Sequence, residues 1–270
     1  MKSDKDKSRF KKKYGDWAVI TGASSGIGLA IAEELAKIGL NLIINSRSET
    51  RLQEIATHFS NNYKIETVVV TADLSTTEGI EKVISSSKGK EVGLFIPSAG
   101  FGTSGYFTNS ILEQEVNMLS VNVEAVLKLT HHFSKRFVKQ GRGGIIFLSS
   151  IVAFQGVPYA SNYASTKAYI QSFAEALTVE LKPYGVDVLS AAPAAVESGF
   201  GNRANMKMAN SMRPQDISTE IINALGRKSN VLPGSLTKVL TYLLKTVPRW
   251  AKVKIMKQVM GGFTRHQRFA

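Results

Sequence analysis

Two side chains capable of proton transfer lie four positions apart in the stretch ASNYASTKAY, residues 160–169. They are Tyr163 and Lys167, and on a helix this spacing places both on one face. A free phenol has a pKa near ~10, too high for efficient proton exchange at neutral pH, and a neighbouring ammonium lowers it by stabilising the phenolate. The spacing therefore predicts a proton donor tuned by a cation, with an ordinary solvated helix face as the alternative.

A glycine-rich turn, TGASSGIG at residues 21–28, is a second candidate for chemistry. It follows the apolar run DWAVI and opens the helical pattern IGLAIAEELAKIG. Glycines at such a junction expose backbone N–H groups at the positive end of a helix, so that a pyrophosphate can approach without meeting a Cβ atom. A plain strand-to-helix turn also needs glycine, so the turn alone indicates dinucleotide binding only weakly.

The elements that would position these residues alternate regularly along the chain. Strand-like apolar runs are DWAVITG, NLIINS, TVVVTAD, VGLFIPSAG, GGIIFLSS and VDVLSAAP, and the longest helical patterns cover residues 109–139 and 161–182. This alternation predicts an α/β fold with a doubly wound parallel sheet of about seven strands and helices on both faces. Such folds bind their ligands at the carboxyl ends of the strands.

Four motifs in order, TGASSGIG, VNV, SS and NYASTK, resemble those of the short-chain dehydrogenase/reductase family. The resemblance covers residues 15–225. It implies a Rossmann-like fold, a nicotinamide dinucleotide cofactor, and a homodimer or homotetramer formed through the two long helices.

The resemblance also implies which residues contact the cofactor, most of them at the ends of the predicted strands. The expected cofactor-binding residues are Thr21, Gly22, Ser24, Ser25, Gly26, Ile27, Gly28, Ser46, Arg47, Ser48, Asp73, Leu74, Ser98, Ala99, Gly100, Tyr163, Lys167, Pro193, Val196 and Ser198.

The end of the second strand indicates which dinucleotide is preferred. NAD-specific members of the family have an acidic residue there to hold the ribose 2′-hydroxyl, whereas this chain has Ser46, Arg47 and Ser48. A guanidinium can pair with a 2′-phosphate through charge-assisted hydrogen bonds. We therefore expect NADP(H), with a solvated arginine at a helix start as the alternative. Asp73 is expected beside the adenine amino group, or else as the N-cap of the next helix.

By the same resemblance, the catalytic residues are Asn122, Ser150, Tyr163 and Lys167. Tyr163 would donate a proton, Ser150 would hydrogen-bond the substrate oxygen, and Lys167 would also hold the nicotinamide ribose. Asn122 would bind a water that links the lysine to solvent. These roles predict NADPH-dependent reduction of a carbonyl, or alcohol oxidation in the reverse direction, and the phosphate-bearing cofactor favours reduction.

Two departures from the family pattern leave another function open. PSAG at residues 97–100 replaces Asn-Asn-Ala-Gly, and Pro97 removes a backbone donor at the end of a central strand. PAAVES at residues 193–198 replaces the family's Pro-Gly with a stiffer Pro-Ala. A dinucleotide-binding scaffold or redox sensor with little turnover is therefore the alternative to an enzyme.

Three segments expected to surround the substrate are rich in aromatic residues and methionine. Such side chains make an apolar, adaptable wall, although some of them would serve the core instead. They favour a lipophilic substrate, such as a 3-oxoacyl group, a steroid or another hydrophobic ketone. The candidates are Phe101, Tyr106, Phe107, Phe154, Tyr159, Phe200, Met206, Met208 and Met212.

The net charge of +13 is concentrated at the two ends of the chain. Residues 1–13 carry +5, residues 14–220 carry −2, and residues 221–270 carry +10 with no acidic side chain. We expect a disordered basic arm over 1–13, a Rossmann-fold domain over 14–234 and a basic amphipathic extension over 235–270. Because no nucleic-acid-binding motif accompanies the charge, we expect no nucleic-acid partner.

The C-terminal extension contains two apolar stripes. We expect residues 235–247 to pack on the domain or on a sister subunit, and residues 248–263 to lie at an anionic membrane surface; membrane contact is the alternative for the first segment, and packing or docking of a partner for the second. The first stripe is Leu236, Val239, Leu240, Leu243, Leu244 and Val247, and the second is Trp250, Val253, Met256 and Met260.

Composition bounds the remaining possibilities. The chain has no cysteine, which excludes disulfides and thiolate chemistry and fits a reducing compartment. Four histidines show no metal-ligand spacing, so no metal is predicted. We find no secretory signal and no apolar run of about 18 residues, and we expect a cytoplasmic protein, peripheral at a membrane surface if the extension binds lipid.

Overall fold

The computed structural model describes residues 4–208 and 211–268, and a parallel sheet forms its centre. Within these residues the spatial order of the strands is β3-β2-β1-β4-β5-β6-β7, and neighbouring strands pair in parallel. The predicted doubly wound sheet of seven strands is therefore confirmed. The strands are β1 (Trp17–Thr21), β2 (Asn41–Ser46), β3 (Thr67–Thr71), β4 (Val92–Pro97), β5 (Gly143–Leu148), β6 (Val186–Ala191) and β7 (Asn230–Val231).

Helices cover both faces of the sheet. The helices are α1 (Asp4–Tyr14), α2 (Gly26–Ile38), α3 (Glu49–Tyr63), α4 (Thr77–Ser86), α5 (Leu112–Leu119), α6 (Ala125–Gln140), α7 (Ser161–Leu181), α8 (Phe200–Arg203), α9 (Pro214–Ala224), α10 (Ser235–Lys245) and α11 (Arg249–Phe263). None of the helices in the described ranges is long and apolar enough to cross a membrane.

Alternate residues of each strand contribute to two separate apolar cores. Ile20 and Ile96 face the core that contains α2 and α9, whereas Val19 and Phe95 face the core that contains α6 and α7. Successive side chains of a strand point to opposite faces, so a strand covered on both faces needs a continuous apolar run. This requirement explains why continuous apolar runs in the sequence predict the strands.

The order in which successive strands join the sheet reverses at β1, which lies between β2 and β4. In open α/β sheets, ligands bind in the crevice at the carboxyl ends of the strands where the order reverses. Thr21, the last residue of β1, spans this crevice, because its Oγ1 accepts hydrogen bonds of 3.1 Å from the N–H groups of Ser98 and Ala99. Pro97 lies beyond the two residues of β4 that pair with β5, so its missing N–H removes no pairing on that side.

The N-terminal arm differs from its prediction. Residues 4–14 form α1 rather than a disordered arm, and Phe10 and Tyr14 are buried with ring centroids 4.6 Å apart. The Tyr14 hydroxyl donates a 2.6 Å hydrogen bond to Asp187, which also forms an ion pair with Lys13. Two aromatic residues four positions apart thus anchor a helix whose other residues are mostly charged. Residues 1–3 of the predicted arm lie outside the described residues.

The long helix predicted over 109–139 is interrupted. It begins as α5 at Leu112, and a π-helical segment at Ser120–Glu124 separates α5 from α6. Single π-helical turns inside α-helices are frequent at functional sites. Here the segment contains Asn122, which is one of the predicted catalytic residues.

Candidate active site

A cavity of about 670 Å³ opens at the carboxyl ends of the strands. All the predicted cofactor-binding residues except Thr21 line it, and so do the predicted catalytic residues Ser150, Tyr163 and Lys167. Thr21 and Asn122 lie behind the wall, where they hold the backbone that follows β4. Residues from seven separate segments of the chain thus converge on one cavity, although their individual roles stay predictions.

The glycine turn between β1 and α2 leaves its backbone accessible at the cavity. Gly22 and Gly26 have φ angles of +65° and +58°, which side chains disfavour. A Cβ atom on Gly28 would lie 2.4 Å from the carbonyl oxygen of Gly22. The turn therefore has no room for side chains, and it brings the N-terminus of α2 into the cavity, as dinucleotide pyrophosphate binding requires.

The adenosine end of the predicted cofactor site contains Asp73, after β3. The backbone N–H of Ser75 donates a 2.9 Å hydrogen bond to its carboxylate. This contact is the main cause of a lowered pKa of Asp73, and the positive charges of Arg47 and Arg203 lower that pKa further. Asp73 is not the N-cap of α4, since Thr76 caps that helix through a 3.0 Å bond from the N–H of Gly79. The alternative reading of Asp73 as a cap is therefore wrong.

Tyr163 and Lys167 lie on one face of α7, as their spacing predicts, and both line the cavity. The Lys167 Nζ donates a 2.8 Å hydrogen bond to the carbonyl oxygen of Leu148 at the end of β5, and it lies 5.8 Å from the centre of the Tyr163 ring. Burial disfavours the ammonium and lowers the pKa of Lys167 to about 8.

The pKa of Tyr163 shifts in the direction opposite to that expected from the sequence. Burial raises the pKa of its phenol well above the usual value, and the hydrogen bond with Ser150 lowers it by less. Removal of the hydroxyl from water disfavours the phenolate, and the Lys167 ammonium is directed at a backbone carbonyl instead. The net lowering of the Tyr163 pKa that the sequence predicts is therefore not observed, because burial outweighs the opposing contact.

The side chain of Asn122 forms hydrogen bonds within the protein and does not line the cavity. Its amide forms a reciprocal pair of hydrogen bonds with the backbone of Phe101, of 2.8 and 3.1 Å, and a 3.2 Å bond to Thr166 on α7. The amide therefore ties the loop after β4 to α7, beside Tyr163. The predicted water contact of Asn122 stays a prediction.

The part of the cavity beyond Tyr163 is apolar. The ring of Phe200 lies 4.9 Å from that of Tyr163, and a third apolar cluster surrounds this contact. Of the residues predicted to line the substrate site, Phe101, Phe200, Met206 and Met208 line the cavity. The others do not: Tyr106 and Phe107 are exposed, Tyr106 contacts Tyr159, Phe154 lies in a 3₁₀ turn, and Met212 packs in the first core.

The C-terminal extension supplies the wall that sequence reasoning missed. Side chains from both of its helices line the cavity, namely Leu236, Leu240, Met256, Val259, Met260 and Phe263. Met256 and Met260 are buried four positions apart, so the periodicity of the second stripe was visible, but we assigned it to a membrane surface. The first stripe is also divided, because Val239 and Leu243 of α10 are exposed while Leu236 and Leu240 face the cavity.

Two polar residues of the cavity were also missed. Asn45, inside β2, is buried and donates hydrogen bonds to the carbonyl oxygens of Val70 and Ala72, which fixes the end of β3 beside Asp73. Arg203, the last residue of α8, reaches the cavity from the segment after β6. No motif marked either residue, although an asparagine in an otherwise apolar strand was a signal for the first.

Known proteins match this chain over most of its length. A family model described as short chain dehydrogenase matches residues 16–209. The 7beta-hydroxysteroid dehydrogenase of Collinsella aerofaciens is 31% identical over 238 residues, which cover 85% of this chain and 90% of the relative. The human inactive hydroxysteroid dehydrogenase-like protein 1 is 34% identical over 197 residues, covering 72% of this chain and 60% of the relative.

Solved structures give the same result for the fold. A structure of 7beta-hydroxysteroid dehydrogenase, studied for its stereoselectivity, aligns with a TM-score of 0.85 and 27% identity over 91% of this chain and 98% of that one. A short-chain dehydrogenase from Sphingobium yanoikuyae in complex with NADPH aligns with a TM-score of 0.76 and 25% identity over 86% of this chain and 96% of that one.

Proposed function

The chain belongs to the short-chain dehydrogenase family of oxidoreductases, and we propose that it reduces the carbonyl group of a lipophilic ketone or 3-oxoacyl substrate with NADPH. The observation that carries this proposal is the position of Tyr163. The tyrosine lies where the polar groove lined by the glycine turn meets the apolar compartment lined by Phe200 and Met260. A carbonyl carbon held there would lie between a hydride donor and a proton donor.

The side chains at this junction suit reduction. When bound, NADPH would supply the hydride. Tyr163 would donate a proton to the oxygen that gains negative charge. Ser150 would donate a hydrogen bond to the same oxygen, and Lys167 would stabilise the phenolate left after proton transfer.

The preference for NADP(H) rests on the residues after β2. Arg47 lines the cavity at the end of that strand, and Ser46, Arg47 and Ser48 include no acid that would repel a 2′-phosphate. Ser46 instead accepts a 3.2 Å hydrogen bond from the N–H of Ser48, which closes the turn around Arg47. The similar dehydrogenase in complex with NADPH supports the same assignment.

A screen of NADPH oxidation against ketones of graded chain length and ring size tests this function. We expect kcat/KM to rise with the apolar size of the ketone until the compartment is filled, because each buried CH₂ group contributes about 0.8 kcal/mol. We expect NADH to support reduction at least about tenfold less well. If NADPH binds but no ketone or 3-oxoacyl compound accelerates its oxidation, the alternative of a dinucleotide-binding scaffold or redox sensor would replace the enzyme. The similarity to an inactive human relative favours testing that alternative.

We also propose that the outer face of α10 and α11 contacts an anionic membrane surface. Tyr242, Leu243 and Trp250 are 78%, 64% and 65% exposed, and residues 221–270 contain ten basic and no acidic side chains. An exposed apolar face within a cationic surround has the chemistry of an interfacial helix. The same helices close the cavity with their inner faces, so that a lipophilic substrate could reach the site from the lipid.

Point substitutions test the membrane contact better than truncation, which would open the cavity. We expect the Leu243→Ser, Trp250→Ala double variant to co-sediment several-fold less with vesicles of mixed phosphatidylserine and phosphatidylcholine than the wild type. Val179→Ser, at a 74% exposed position on α7, is the matched control and should bind like the wild type. Equal sedimentation of all three proteins, or equal binding to purely zwitterionic vesicles, would contradict the proposal.

A homodimer or homotetramer is a further proposal, consistent with the family. An exposed apolar face begins just before α5, where Ile111, Leu112 and Val116 are each more than half exposed. Contiguous exposed apolar surface of this kind indicates a protein interface. A monomer mass in light scattering at micromolar concentration would contradict it.

A further inference from the structure

Arg203 is an exposed arginine whose position is nevertheless defined. Its guanidinium carbon lies 4.2 Å from the centre of the Phe101 ring, and a cation–π contact of this kind holds an arginine without using its hydrogen-bond donors. The Phe101 backbone is in turn held by Asn122. The side chain lines the same cavity as Arg47 and Asp73.

The two arginines at this end of the cavity share one nearby carboxylate, that of Asp73. Within residues 4–208 and 211–268, the guanidinium of neither Arg47 nor Arg203 donates a hydrogen bond to the protein or joins an ion pair. Arg203 interacts electrostatically with Arg47 unfavourably and with Asp73 favourably, and its own partial burial lowers its pKa. One carboxylate, already hydrogen-bonded to Ser75, faces two guanidinium groups. The arrangement has an excess of positive charge, and the two guanidinium groups together carry ten N–H donors.

We propose that Arg203 is a second cofactor-binding arginine, which holds the 2′-phosphate of NADP(H) from the side opposite Arg47. The inference rests on the proposed use of NADP(H). A phosphate monoester carries between one and two negative charges at neutral pH and offers three acceptor oxygens, so two guanidinium groups can bind it together. The arginine held on Phe101 would thereby close the segment after β6 over the adenosine end of the cofactor.

The position of Arg203 favours the 2′-phosphate over the pyrophosphate. The glycine turn after β1 already offers the pyrophosphate the N-terminus of α2. Arg203 interacts instead with Arg47 and Asp73, which follow β2 and β3 on the adenosine side. A residue that served the pyrophosphate would contribute equally to NADH and NADPH, whereas one that serves the 2′-phosphate contributes to NADPH alone.

The test is the affinity of the full-length chain for each dinucleotide, measured by calorimetry without ketone. In Arg203→Met, an unbranched apolar side chain remains over Phe101 while the charge is lost, so a role in packing alone predicts unchanged binding. We expect the Kd for NADPH to rise about ten- to a hundredfold and the Kd for NADH to change less than about twofold. Arg203→Lys keeps the charge but not the planar guanidinium. Its Kd for NADPH should lie between those of the wild type and of Arg203→Met.

Arg213→Met is the matched control from the same connection between β6 and α9. Arg213 is exposed and forms an ion pair with Asp216, away from the cavity. Replacement of Arg213 should change neither the Kd for NADPH nor the Kd for NADH. Equal weakening of NADH and NADPH by Arg203→Met would overturn the proposal, and so would unchanged NADPH binding or a wild-type chain without preference for NADPH. Because no ketone is present, a chain that passes this test but reduces no carbonyl contradicts the proposed reaction and leaves the role of Arg203 intact.

Discussion

Replacing Tyr163 with phenylalanine is expected to lower kcat/KM for carbonyl reduction by about 10²- to 10⁴-fold, the usual contribution of a positioned general acid. The substitution keeps the ring that packs against Phe200 and removes only the hydroxyl, so the apolar compartment keeps its shape. The Kd for NADPH should change less than about threefold, since one hydroxyl contributes little beside the many other contacts of a dinucleotide. Initial rates of NADPH oxidation and fluorescence titration measure the two quantities.

Tyr169→Phe is the control for this substitution. Tyr169 lies six residues further along α7, partly exposed and packed on Phe173, and it does not line the cavity. Its variant should react like the wild type. Carbonyl-dependent NADPH oxidation that survives Tyr163→Phe would contradict the proposed chemistry, in which Tyr163 alone donates the proton.

Replacing Lys167 with methionine is expected to have opposite effects on activity and stability. Activity should fall about 100-fold or more, because the phenolate formed at Tyr163 loses the neighbouring positive charge. The free energy of unfolding at pH 7 should rise, because the lowered pKa of Lys167 reports the cost of desolvating its ammonium, partly offset by its hydrogen bond to Leu148. Groups that destabilise the fold but serve chemistry are expected at active sites.

The pH dependence of this stability effect follows from the direction of the shift. The folded-state pKa of Lys167 is about 8, below its ordinary value of 10.5. Between these values the unfolded chain binds more protons than the folded chain, so the wild type gains stability as pH rises. The advantage of Lys167→Met should therefore be fully present below about pH 8 and shrink towards pH 10.

Urea unfolding at pH 7 and pH 9.5 measures this difference. Lys182→Met, at an exposed position just after α7, is the control and should change stability little at either pH. An advantage of Lys167→Met that is the same at both values, or a loss of stability at pH 7, would contradict the assignment of a buried ammonium.

Local patterns were sufficient for the sheet and for the proposed chemistry. A strand covered on both faces must be continuously apolar, so the strands were visible as runs such as NLIINS and GGIIFLSS. The glycine turn was visible because positive φ angles and close backbone contacts exclude side chains at Gly22, Gly26 and Gly28. Tyr163 and Lys167 were visible because helical geometry alone places positions i and i+4 together.

The errors concern segments whose partners are distant in the sequence. An amphipathic pattern shows that a helix has an apolar face but not what covers it, and for this reason Met256 and Met260 were assigned to a membrane and not to the cavity. For the same reason α1 was read as disordered, since the contact of Tyr14 with Asp187 joins residues 173 positions apart.

The sequence by itself determined the doubly wound fold through its short-range periodicity, and the resemblance of its motifs to those of the family implied which residues meet at the carboxyl ends of the strands. Only the tertiary structure decided the environment of those residues. Burial sets the pKa values of Tyr163 and Lys167, and the return of the C-terminal helices closes the apolar compartment. Contact with Phe101 brings Arg203 towards Arg47. Desolvation and long-range contacts arise only once the chain is folded, so no local pattern encodes them.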